Sequence, residues 1–281
     1  MRKHILLPAL TLSGGAAGFI LRKWQLSSGF EADTGLALPH APSALAVAGF
    51  SALLLLLLLF LSWREEQQLP WELAFSAGKE APLAITALIL AAMLLLAGAG
   101  AEIVTYVVNG AFFLEGETPF SRAASAALPP LRIALSIGAL PCIFFWARAL
   151  FRGDTRRENA AALEPCFLYC VWLISTYQLR AADPVVQDYL YEVLAIVASL
   201  LGLYFIAGHS FGNGKPRQTV FFCLAGAYFS LVTLADGHSL ADAFRYLFAV
   251  LYLTVHAALI LNHPPVGKAP AKAETEADEN A

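Results

Sequence analysis

Apolar residues in this chain gather into eight blocks, at 5–21, 43–63, 81–101, 131–151, 161–179, 189–207, 219–234 and 243–261. Each is close to the ~20 residues that a helix needs to cross a bilayer core. The second is the plainest, with seven consecutive leucines from Leu53 to Leu59. None alternates polar and apolar positions as barrel strands do, so each block predicts a helix that satisfies its own backbone in lipid. Most connections are short and predict antiparallel neighbours. The pattern therefore predicts an all-α, polytopic transmembrane helix bundle of about eight spans over 1–262. A disordered cytoplasmic tail is expected at 263–281, where Pro264, Pro265 and Pro270 stand among Lys, Ala and acidic residues.

Composition sharpens this by exclusion. The 281 residues are 58% hydrophobic and 14% charged, against ~45–50% and ~25% for a soluble domain. A sizeable water-soluble catalytic domain has no room. Net charge is −3, so nucleic acid is not an expected partner; the lipid bilayer is. With the N-terminus cytoplasmic, twelve of the eighteen Lys and Arg fall at inner helix ends. Six fall at outer ends: Arg22, Lys23, Arg122, Arg132, Arg180 and Arg245. That asymmetry predicts an N-in, C-in topology. The start, Met1-Arg2-Lys3-His4, could open a signal peptide, but its small residues (Ser13 to Gly18) sit inside the apolar run. An uncleaved first span fits better.

Other positions refine the picture. Trp24, Trp63, Trp71 and Trp146 fall near predicted span ends, as interfacial belts require, whereas Trp172 lies deeper and should pack between helices. The apolar piece 103–114 is too short for a span of its own and predicts an extended third helix or an interfacial segment. Pro141 should kink the fourth span, and Pro8 lies near the start of the first. Cys142, Cys166, Cys170 and Cys223 all lie in apolar blocks, without a C-x-x-C pair, and read as packing residues.

Ionisable residues within spans cost roughly 2.5–3.5 kcal/mol on insertion scales, so each needs a reason. Arg245, Ala249, Tyr252 and His256 share one face of the eighth helix, and Glu192, Ala195, Ser199 and Gly202 one face of the sixth. Cys223, Gly226, Ser230 and Thr233 do so on the seventh, with Arg132 and Ser136 on the fourth. Together Arg132, Glu192, Ser199, Ser230, Arg245, Tyr252 and His256 predict a small polar cavity opening outward, with His256 deepest. The competing reading is interhelical glue, in which small residues allow close packing and near-end charges pair or snorkel. Glue carries more weight.

Weaker signals read plainly. Glu164 and Arg148 are expected to form an anchoring ion pair at the inner side. Asp236-Gly-His238-Ser-Leu-Ala-Asp242 offers oxygen and imidazole ligands, but Asp242 at a helix start suffices to explain its own presence, and no metal is expected. Gly208-His209-Ser210-Phe211-Gly212 matches G-x-S-x-G, which carries chemistry only on a strand-to-helix turn; after a membrane helix it reads as chance. No cofactor fingerprint occurs, so no cofactor is expected. Gly14 and Gly18 form a small-xxx-small pair, suited to tight packing within the chain or against a partner.

The first loop carries a likeness. Leu21-Arg22-Lys23-Trp24-Gln25-Leu26, then Phe30-Glu31-Ala32-Asp33-Thr34-Gly35-Leu36, then Pro39 and Pro42, resembles a set of uncharacterised multi-pass membrane proteins from low-GC Gram-positive anaerobes. The resemblance covers about 25 residues. It implies an integral protein of a bacterial cytoplasmic membrane and carries over no activity. It also leaves two readings of Trp24, Phe30, Glu31 and Asp33: a packed plug or partner surface, or a simple turn at Asp33-Thr34-Gly35. For function, an accessory, sensory or structural membrane protein acting through partner contacts or homo-oligomerisation is expected. The alternative is a small-solute permease with its site among spans four, six, seven and eight. An intramembrane enzyme ranks third, because no nucleophile or paired acid is found.

Overall fold

A computed structural model describes residues 3–31, 33–65, 74–110, 119–153, 159–180 and 185–263. Eight long α-helices run through them: α1 Lys3–Ser28, α2 Pro42–Ser62, α3 Pro82–Asn109, α4 Pro119–Arg152, α5 Asn159–Arg180, α6 Val186–Ser210, α7 Pro216–Thr233 and α8 Leu240–Leu261. All eight contain a stretch long and apolar enough to cross a membrane, and the chain is an all-α polytopic bundle. Trp71, the second half of the basic loop after Arg152, and the tail beyond His263 lie outside the described residues.

Several helices run past their apolar blocks. α3 continues to Asn109, so most of the 103–114 segment extends the third span, and Gly110 closes it at φ +72°. α4 starts at Pro119, twelve residues before its apolar block, and stays helical through Pro129, Pro130 and Pro141. Neighbouring helices make such prolines tolerable by re-satisfying freed backbone groups. Proline also opens α2, α3 and α7, where its missing N–H would be unpaired anyway.

Two ends of the bundle can be named from the contacts of α1. At the Lys3 end, Lys3 pairs with Glu65 at the end of α2 (2.7 Å), and Arg217 Nε at the start of α7 donates to the Glu65 carbonyl (2.5 Å). At the Arg22 end, the last turns of α1 meet the start of α6 and the α7–α8 connection. Consecutive helices pack on one another except α2 and α3, and contacts of α1 with α7 and of α3 with α8 join helices far apart in the chain. α8 sits at the centre, packed on α1, α3, α6 and α7 and bonded to α4 and α5, while α2 lies outermost against α1 and α7.

Small residues set the close approaches. A Cβ at Gly14 would lie 2.7 Å from the Leu54 side chain, and one at Gly15 2.3 Å from Leu231. The small-residue face of α1 is thus spent inside the chain, on α2 and α7. Between α6 and α7 the backbones themselves nearly touch: a Cβ on Gly226 would stand 2.9 Å from Ser199 N and Cα. Trp172 packs between helices as expected, against Tyr169 and Tyr246. Trp146 departs from expectation. It is fully buried rather than interfacial, because its face of α4 turns toward α8.

Candidate functional site

The polar residues of the Arg22 end are organised from α8 outward. Ser239 caps that helix, its Oγ accepting from Asp242 N (3.1 Å) and donating to Asp242 Oδ2 (2.6 Å). One turn on, Arg245 is fully buried and needs anions. Asp242 supplies one at 2.8 Å, and Glu102 of α3 supplies the other through a direct contact with Arg245 Nη2. The second oxygen of Glu102 accepts from Arg132 Nε of α4 at 2.6 Å, so arginines from two helices share one carboxylate. The indole of Trp172 lies 5.6 Å from the Arg245 guanidinium, and Tyr169 donates to the Arg245 carbonyl at 2.9 Å.

A second group closes around Arg22, also fully buried. Its Nε donates to Asp236 Oδ1 (2.6 Å), Nη1 to Gln25 (2.9 Å) and the Gln187 carbonyl (3.1 Å), and Nη2 to the Asp188 carbonyl (2.7 Å). The Tyr191 ring covers it at 4.9 Å. The Thr233 hydroxyl donates to Asp236 Oδ2 (2.9 Å), which assigns the 2.9 Å contact with His238 Nε2 as donation by the ring. His238 Nδ1 stands 4.0 Å from Glu192, whose other oxygen accepts from Arg180 Nε at 3.0 Å. Asp236 and His238 thus serve as counter-ion and relay to Arg22. Four guanidinium groups in this end face Glu102, Asp188, Glu192, Asp236 and Asp242. The network thus holds α1, α3, α4, α5, α6 and α8 together.

The seven residues expected around one cavity therefore divide. Arg132 and Arg245 meet on Glu102, and Glu192 belongs to the Arg180 and His238 group. The hydroxyls of Ser199 and Ser230 hydrogen-bond to each other across the α6–α7 seam, at 3.4 Å. Tyr252 and His256 lie in the other half of the bundle. His256 Nδ1 donates to the Tyr252 carbonyl (2.8 Å), while Nε2 accepts from the Trp146 indole (2.9 Å), which fixes a neutral tautomer. Phe75 sets its edge against Trp146, His209 and His256 at 5.5–5.9 Å between centroids.

Beside this aromatic core the Lys3 half leaves polar atoms over. His209 Nε2 contacts Thr219 Oγ1 at 2.9 Å, and the Thr219 hydroxyl is itself committed to the Lys215 carbonyl. His209 and Ser210 occupy the last turn of α6 rather than a strand-to-helix elbow, so the G-x-S-x-G match has no catalytic setting. The expected Glu164–Arg148 ion pair is not formed. Arg148 is exposed, whereas both Glu164 oxygens are buried without a hydrogen-bond partner beside Gly138 of α4, on a different face from Arg148.

In the first loop, Glu31 N donates to Leu36 O (2.9 Å), Gly35 N to Glu31 O (3.0 Å) and Thr34 Oγ1 to Glu31 Oε2 (2.6 Å). Phe30 pairs with Ala37 in an antiparallel bridge. Glu31, Asp33 and Trp24 are exposed, so this is an ordered surface turn and not a plug.

Sequence reasoning missed Glu102, Arg22, Arg180, Asp236 and His238 as members of the site. Glu102 had a signal. It continues the series Leu88, Ala91, Leu95 and Gly98, all on the buried face of α3, once that helix is allowed to run past 101. Compared with protein-family models, with curated proteins and with solved structures, the chain matches none.

Proposed function

We propose that this integral membrane protein is an accessory, sensory or structural component that acts through contacts of its outer helices with a membrane-protein partner or a second copy, and not by carrying a solute. One observation supports this reading above others: Arg132, Glu192, Ser199, Ser230 and Arg245 are spent on one another and on neighbouring side chains. A permease needs polar groups free to exchange partners with its cargo, and transporter sites favour helices broken near the midplane. The described spans are continuous, α4 included. The setting is a bacterial cytoplasmic membrane with both termini inside; a reporter fused at Arg156 that reads extracytoplasmic overturns that orientation.

The test is photocrosslinking in native membranes, with the probe at exposed positions such as Leu56 of α2 and Leu83 of α3. A defined adduct, confined to one face and reproducible between preparations, is expected. The opposite result is monomer at every position, together with a solute that raises the melting temperature saturably and fails to do so in Glu192→Gln and Arg245→Lys. That result establishes the permease instead.

A further inference from the structure

A groove of about 530 Å³ opens at the Lys3 end between α2 and α7. Its walls are apolar, from Leu59 and Trp63 on one side and Phe221 and Phe222 on the other. Its remaining lining is polar and basic: Ser62, Lys215, Arg217 and Gln218. We propose that this groove binds one anionic phospholipid, with the phosphodiester between Lys215, Arg217 and the first turn of α7 and an acyl chain against Phe221, Phe222 and Leu59.

Charge supplies the first argument. Neither Lys215 nor Arg217 forms an ion pair with a carboxylate among the described residues, whereas the nearby Glu65 is already taken by Lys3. Arg217 spends Nε on the Glu65 backbone, which positions the rest of its guanidinium without neutralising it. Both residues flank the N-terminus of an 18-residue helix whose first turn has no acidic residue and no side-chain cap. Its free N–H groups and its dipole add to the attraction for an anion. Basic pockets between membrane helices near the headgroup level are suited to acidic lipid heads.

The second argument comes from Ser62. It is 1% exposed, lines the groove, and its hydroxyl has no partner among the described residues. A helix serine in an apolar setting ordinarily bonds back to the carbonyl four residues earlier, as Thr11 does here. An unmet hydroxyl beside two unpaired cations fits a phosphate or glycerol oxygen. Shape agrees as well. A neighbouring groove of about 520 Å³ shares Leu59 and Trp63 and runs over Leu56 and Phe60 to Arg64, whose guanidinium rests 4.8 Å from the Phe60 ring. Two apolar channels meeting at one basic end match a lipid with two chains.

Delipidated full-length protein in detergent, titrated and read by native mass spectrometry, tests the assignment. The probes are phosphatidylglycerol, phosphatidylcholine of the same acyl chains, and glycerol phosphate. One phosphatidylglycerol is expected to bind about tenfold more tightly than phosphatidylcholine, as two basic contacts near a membrane surface allow. Lys215→Gln with Arg217→Gln should bring that preference to within about twofold, while Arg148→Gln, on an exposed arginine elsewhere at this end, leaves it intact. Should the double variant fold poorly, Lys215→Gln alone must still lower the preference. Equal binding of the two lipids by the wild type overturns the proposal, as does a preference that survives the double variant. Competition by glycerol phosphate as strong as by the lipid also overturns it, in favour of a free-anion site.

Discussion

Glu102 in one half of the bundle and Glu164 in the other are held in opposite ways. Glu102, at the Arg22 end, is held by arginines from two other helices. Glu164, in the Lys3 half, has neither a cation nor a hydrogen-bond donor on its carboxyl among the described residues. The first half is ionic and its carboxylates are paired, with Arg245 Nε and the Tyr246 hydroxyl the buried polar atoms left without a hydrogen-bond partner among the described residues. The second, inside its peripheral Lys3–Glu65 pair, is built from neutral aromatic and imidazole contacts and leaves Glu164, Ser62 and His209 Nδ1 without a partner among the described residues. The difference teaches that burial of charge in this protein is not one phenomenon. At one end it cross-braces helices distant in sequence; at the other it leaves polar capacity that packing does not use.

The strongest way to break the comparison is Glu102→Gln. The substitution keeps shape but strands Arg132 and Arg245 on a neutral amide, and removing one partner of a buried ion pair costs about 3–5 kcal/mol. A large fall in the unfolding midpoint of the purified protein is expected. Adding Arg132→Met, which withdraws one of the stranded cations, should recover part of the loss, a coupling that a double-mutant cycle measures. No loss in Glu102→Gln would mean that Asp242 alone carries Arg245 and that the network is not a brace.

Trp146→Phe probes the neutral half and has the next largest effect. A smaller aromatic ring takes the place of the indole, and His256 Nε2 loses its donor. An unsatisfied buried acceptor costs about 1–3 kcal/mol. The loss should vanish in the background His256→Leu, because replacing both partners of a hydrogen bond by apolar groups approaches neutrality. A loss that persists in that background places the weight on indole packing and not on the hydrogen bond.

How much of this was legible in the chain follows the same division. Eight spans could be read directly, because leucine-rich blocks of membrane length admit no other element. Their ends could not, since α1, α3 and α4 prolong into polar or proline-rich sequence that neighbouring helices support. The buried faces of α6 and α8 were legible from spacing: Glu192, Ala195 and Ser199, and Arg245, Ala249, Tyr252 and His256, are all buried. The partners were not. Arg245 finds Glu102 because α3 packs on α8, and Arg22 finds Asp236 across 214 residues because α1 ends beside the α7–α8 turn. Helix adjacency is a property of the assembled bundle, and spacing along one helix carries no information about it. Trp146 failed for a related reason: nearness to a span end fixes depth, while the direction of a side chain depends on its neighbour.

Glu164→Gln has the smallest expected effect and makes the comparison sharpest. Among the described residues the carboxyl accepts nothing and pairs with nothing, so an amide of equal size loses no interaction, and the change in stability should stay under about 1 kcal/mol. Glu164→Met, which also removes the cost of burying unpaired oxygens, should match or exceed the wild type. The same unfolding assay used for Glu102→Gln reads both. A loss as large as that of Glu102→Gln would show that Glu164 is held by a group in the membrane or by the residues around it, and the two halves would then differ in degree only. A neutral outcome has the further consequence that stability does not account for keeping an ionisable group in α5. Such a residue carries an insertion cost of roughly 2.5–3.5 kcal/mol, and a cost that packing does not offset directs attention to what the carboxyl meets when the protein is at work.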